Sequence, residues 1–98
     1  AVRYPDDLIF ETVFVNPPYS QAKEFVAWAD VFRQYGNTVV MLLPARTDTR
    51  YWHQYIWNSN VHDWHAGIRG RFLKGRLKFG GAVNSAPFPS VVVIFRPI

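Results

Sequence analysis

Hydrophobic and polar positions alternate between two rhythms along the chain. Residues 12–16 (TVFVN) are β-branched and aromatic and run into Pro17 and Pro18. They predict a buried strand, stopped where two residues lack backbone donors. Ser20 then offers a side-chain oxygen to cap a helix. Ala22, Phe25, Val26, Ala29 and Phe32 recur at three- and four-residue spacing and so share one helical face. Gly36-Asn37 supplies the left-handed stop. Residues 38–43 (TVVMLL) form a continuous apolar run closed by Pro44, which predicts a second strand covered on both faces, as in parallel sheets. Thr47, Asp48 or Thr49 can cap a second helix, with Tyr51, Trp52, Tyr55 and Ile56 toward the core and residues 58–60 breaking it. Residues 66–72 and 77–79 read as extended around Gly75, and residues 80–89 as a loop rich in Gly, Pro, Asn and Ser. Residues 90–95 (SVVVIF) predict a last buried strand. The order β-α-β-α-β-loop-β implies an α/β fold with a mostly parallel sheet and right-handed crossovers.

Composition narrows this picture. A chain of 98 residues fits a single domain, residues 1–98. Its 49% hydrophobic residues are too many for a disordered chain. The absence of cysteine excludes disulfides and thiolate metal sites, and it suits a cytoplasmic setting. The longest apolar runs, at residues 39–43 and 91–95, are far shorter than the roughly 20 residues a membrane span needs. The net charge of +4 suits a nucleic-acid partner without identifying one.

The chemistry lies in Asn16-Pro17-Pro18-Tyr19. A strand ending in these residues puts an amide, a carbonyl and an aromatic ring at the carboxyl edge of a sheet, where open α/β sheets bind ligands. The exocyclic amine of adenine is a weak nucleophile, because its lone pair is drawn into the ring. It needs two acceptors for its two N–H bonds. The Asn16 side-chain oxygen and the Pro17 carbonyl can serve, two prolines stiffen the turn, and Tyr19 offers a ring for an extruded base. The alternative is a strand end with a locally packed tyrosine.

The motif and three further runs resemble the phage-type DNA adenine-N6 methyltransferase (Dam-like) family. The matching pieces are VFVNPPYS (13–20), TVVMLLPARTDTRYWH (38–53), GRLKFGG (75–81) and APFPSVVVIFRP (86–97). The resemblance implies a Rossmann-like fold, methyl transfer from S-adenosylmethionine to the N6 amine of adenine in DNA, and a phage-encoded protein acting in the bacterial host cytoplasm. It gives Asn16 and Pro17 the role of amine acceptors and Tyr19 that of stacking ring. Family members carry much of their cofactor-binding sequence before this motif. Here 15 residues precede Asn16, with no glycine-rich turn after a strand. The expectation is therefore a catalytic-motif half, partnered by another copy or by a cofactor-binding segment. The competing expectation is a truncated, non-catalytic relative acting as a DNA-binding or accessory module.

Other candidates carry open alternatives. Arg46, Asp48 and Arg50 follow the second strand at the same edge and can line the DNA or base pocket, or form a helix cap and surface ion pair. Lys74, Arg76 and Lys78 share one face of an extended chain, opposite Leu73, Leu77 and Phe79, beside Arg69 and Arg71. That face can meet DNA phosphates or simply solvent. His62 and His65 are spaced for a metal, but without cysteine or further placed ligands they read as surface residues and no metal is expected. Trp28, Trp52, Trp57 and Trp64 read as core or interface. Gly80-Gly81 reads as a loop hinge.

Overall fold

The computed structural model describes residues 10–75 and 88–98. Strand β1 (Thr12–Val15) leads through a 3-10 turn (Tyr19–Gln21) into helix α1 (Ala22–Arg33). Strand β2 (Thr38–Pro44) follows, then a single π-helical turn (Trp52–Ile56), a two-residue hairpin of β3 (Trp57–Asn58) and β4 (Asp63–Trp64), strand β5 (Ile68–Phe72) and strand β6 (Ser90–Phe95). The main sheet has the order β1-β2-β6-β5.

The sheet is mixed, which corrects the mostly parallel expectation. β1 and β2 pair in parallel, whereas β2–β6 and β5–β6 are antiparallel. Residues 90–95 are as apolar as any parallel strand, and apolarity reports burial, not direction. Because β6 opposes both neighbours, β1, β2 and β5 still point the same way. Their carboxyl ends share one edge of the sheet. There Ala45 N–H donates to Pro89 O (2.7 Å) and Leu73 N–H to Ser90 O (2.9 Å), tying the loops to the start of β6.

The register sorts the two faces. Val39, Phe95 and Ile68 form one row, Met41, Val93 and Gly70 the next, and Leu43, Val91 and Phe72 a third. The side of these rows faces Ala22, Val26 and Ala29 of α1 together with Trp52 and Ile56, and with them the rows, apart from Gly70 and the exposed Phe72, form the core. Each fully buried Val, Ile, Leu or Met stabilises by about 1.5–3 kcal/mol relative to exposure. Gly70 leaves no space for a Cβ against the Trp64 ring. The opposite face holds Val40, Leu42, Val92 and Ile94, half-exposed, with Arg69 and Arg71 on β5. Among the described residues no helix covers it, so β2 is buried on one face rather than two.

Three further expectations change. β1 is an edge strand of the described sheet and not a buried one: Thr12 and Phe14 point outward, and Phe14 is 79% exposed. The second helix shrinks to one turn, since only Trp52 and Ile56 of its four core candidates reach full burial. The strand expected at residues 77–79 and the hinge at Gly80-Gly81 lie outside the described residues. Helix α1 ends as expected, with Gly36 at φ 94°.

One anchor of α1 was not evident from periodicity. Arg33 completes the row Ala22, Val26, Ala29 and is 5% exposed. Its guanidinium pairs with Asp30 (3.0 Å) and donates to the carbonyls of Ala66 (2.6 Å) and Arg96 (3.3 Å). A charge at a core position of a helical stripe was the available signal.

Candidate functional site

The Asn16–Tyr19 corner sits just past the carboxyl end of β1. Asn16 is exposed, Pro17 is buried and Pro18 is exposed. Pro18 has φ −56° and ψ 142°, and its carbonyl accepts Gln21 N–H at 2.9 Å. That bond winds residues 19–21 into a 3-10 turn, so Ser20 lies inside the turn instead of capping the helix. Gln21 takes the cap position without a side-chain cap. The buried Pro17 ring pins the backbone on which the Asn16 amide stands.

Tyr19 is half-buried, and its ring meets Phe88 edge-on at 5.9 Å. The Tyr19 hydroxyl is buried and finds no hydrogen-bond partner among the described residues. Over Phe88 lies the Arg46 guanidinium, 4.5 Å from the ring centre. Arg46 also pairs with Asp48 at 3.5 Å, an exposed contact worth about 0–1 kcal/mol. Phe88 thus joins the Arg46–Asp48 pair to the Tyr19 corner. Sequence reasoning left Phe88 in a loop; its place between two prolines was the signal.

Arg50 parts from that pair. With Lys23, Thr49, Tyr51 and Tyr55 it lines a cleft of about 370 Å³ between α1 and the turn after β2. Burial is the main influence on the Tyr51 hydroxyl and pushes its pKa above the usual value, against a Thr49 hydrogen bond and the Arg46 charge. It therefore stays protonated at neutral pH. A second cleft, of about 320 Å³, lies on the open flank of β1 and is lined by Val15, Glu24, Phe25 and Trp28. Trp28 stacks on Phe32 with centroids 5.0 Å apart.

The basic stretch divides. Arg69 and Arg71 are exposed on β5, on the face away from α1. Lys74 lies beyond the strand, in a bend at Gly75 (φ 73°), and so is not part of an extended face. Arg76 and Lys78 lie outside the described residues. Trp52, Trp57 and Trp64 gather beside Phe72, with centroids 5.2–6.3 Å apart. The His53 ring contacts Thr47 O at 2.8 Å and the His65 ring contacts His53 O at 2.7 Å, so both tie backbone. No cluster of potential metal ligands occurs among the described residues. None of the described helices is long and apolar enough to cross a membrane.

No curated protein and no solved structure matches the chain. A family model described as DNA N-6-adenine-methyltransferase (Dam) matches residues 8–98.

Proposed function

The chain belongs to the DNA N-6-adenine-methyltransferase (Dam) family, and on that premise we propose that it forms the amine-activating part of a phage-type enzyme that methylates adenine N6 in DNA. The observation that carries this reading is the exposed Asn16 at the carboxyl end of β1, held by the buried Pro17.

The Asn16 side-chain oxygen and the Pro17 carbonyl accept the two N–H bonds of the adenine amine. With both hydrogens held, the nitrogen lone pair leaves conjugation with the ring and turns toward the methyl group. Pro18 fixes the turn, and Tyr19, braced by Phe88, stacks on the extruded base. Arg46 and Asp48 border that base, and Arg50, Lys74, Arg76 and Lys78 meet DNA. On methylation the amine gives up one proton, which passes to solvent.

S-adenosylmethionine, when bound, would supply the methyl group from its sulfonium, which becomes a neutral thioether. The cleft beside β1 would hold one side of such a donor. Val15, Phe25 and Trp28 offer apolar surface to an adenine ring, and the Glu24 carboxylate favours a cationic centre. A strand added to the open edge of β1, from another copy or from a cofactor-binding segment, would wall this cleft on its other side.

Methyl transfer from labelled S-adenosylmethionine to adenine-containing DNA tests the reading. Asn16→Ala should lower the rate a hundredfold or more, since losing one transition-state hydrogen bond of this kind costs about 3 kcal/mol. Near-normal transfer by Asn16→Ala, or label on cytosine, would sink it. DNA binding without any transfer would favour the accessory-module alternative.

A further inference from the structure

The cleft between the start of α1 and the turn after β2 carries charge that is unpaired among the described residues. Lys23 and Arg50 both line it, and both are exposed. The ion pairs among the described residues are Asp30–Arg33 and Arg46–Asp48, so neither Lys23 nor Arg50 has a carboxylate partner there. Lys23 stands in the first turn of α1. The free amides of that turn already present partial positive charge, and a cation there opposes them. Helix stability therefore gives no reason for a lysine at this position. Two like charges around a cleft of about 370 Å³ repel, and an anion between them reverses the sign of that interaction. Tyr51 and Tyr55 add phenol groups to the same wall.

The position of the cleft says which anion. Lys23 stands one residue into α1, directly after the Asn16–Tyr19 corner and its 3-10 turn. Arg50 follows the carboxyl end of β2, at the same edge of the sheet. Resting on the DNA-methyltransferase reading, we propose that Lys23 and Arg50 clamp one backbone phosphate of the DNA beside the target adenine.

Binding of a duplex oligonucleotide across a series of salt concentrations tests the clamp. Lys23→Gln, Arg50→Gln and the double variant are compared with the unaltered chain. Arg96→Gln serves as control, because Arg96 is exposed just past the carboxyl end of β6, at the other edge of the sheet. If both cations hold one phosphate, the double variant should lower the salt slope by about one, with roughly tenfold weaker binding near 0.1 M salt. Each single change should give little of that loss in slope, because the remaining cation still neutralises the phosphate, and Arg96→Gln should leave the slope alone. A slope unchanged in the double variant overturns the clamp while the functional reading stands. A loss that is additive and near two overturns the shared phosphate in favour of separate contacts. Absence of salt-dependent DNA binding by the unaltered chain overturns the functional reading and the clamp together. Matched thermal melts exclude unfolding as the cause.

Discussion

β1 and β2 are neighbours, run in parallel and are built from the same residue types, yet they have opposite fates. β2 reads TVVMLLP and sits inside the sheet, with Val39, Met41 and Leu43 fully buried. β1 reads TVFV and has a paired neighbour on one side only among the described residues. Val13 and Val15 lie in register with Val39 and Met41 but are only half-buried, and Phe14 stands in solvent. The difference is topological. A β-branched run favours extended backbone wherever it lies, while burial depends on how many strands flank it. It also divides the labour: β2 supplies stability, and the end of β1, one residue past the last ladder pair, supplies the motif. The proposed chemistry sits where the backbone leaves the sheet, as substrate-binding residues commonly do.

The largest expected effect breaks the comparison at its stable side. Met41→Ala should destabilise the chain by about 2–5 kcal/mol, because a fully buried methionine leaves a cavity that the surrounding strands cannot close. Its registered neighbour on β1 should behave differently. Val15→Ala should cost about 1 kcal/mol, as half of that side chain is already wet. Urea melts of the two variants measure both numbers. Equal losses would mean that β1 is buried as deeply as β2 and that its flank is not open.

This contrast also explains what could be read from the sequence. Strand positions at residues 12–15, 38–43 and 90–95 were legible, because short β-branched or continuous apolar runs bounded by prolines or turn residues are local signals. Helix α1 was legible from its 3.6-residue stripe, apart from Arg33, whose charge hides a core position. Strand direction was not legible: residues 90–95 carry the apolarity of a parallel strand, and only the pairing partner decides. The second helix failed because Trp52 and Ile56 fix one turn, while the aromatic residues beyond it pack better as a hairpin against Phe72. The Asn16–Tyr19 corner was visible as a motif. Its contact with Phe88 was not, since 69 residues separate Tyr19 from Phe88 and no spacing rule links them.

A smaller effect sharpens the functional side. Tyr19→Phe removes a buried hydroxyl that has no partner among the described residues, so it should leave thermal stability unchanged or slightly raised. It should also leave methyl transfer near its normal rate, because stacking needs the ring. Tyr19→Ala removes the edge contact with Phe88 and the platform for the base. Base stacking is worth about 1–3 kcal/mol, so transfer should fall roughly fivefold to over a hundredfold. Thermal melts and single-turnover transfer rates separate the two variants. Equal damage from both would assign the hydroxyl a direct role toward the substrate and end the stacking account.

The smallest effect on stability tests the open flank itself. Phe14 is 79% exposed on an edge strand, and its neighbour across the ladder is the half-exposed Val40. Phe14→Lys removes little buried area, so it should shift the unfolding free energy by no more than about 0.5 kcal/mol. Its consequence lies between molecules. An edge strand whose outer backbone groups are unpaired among the described residues, with an outward phenylalanine, is a template for another strand, and a lysine there is the common way to block it. Light scattering over a concentration series should therefore show self-association of the unaltered chain, lost in Phe14→Lys. If both stay monomeric at every concentration, the edge does not recruit a second copy, and the strand that walls the Val15–Trp28 cleft comes from a separate cofactor-binding segment. A Phe14→Lys chain that associates as strongly as the original would remove β1 from the interface altogether.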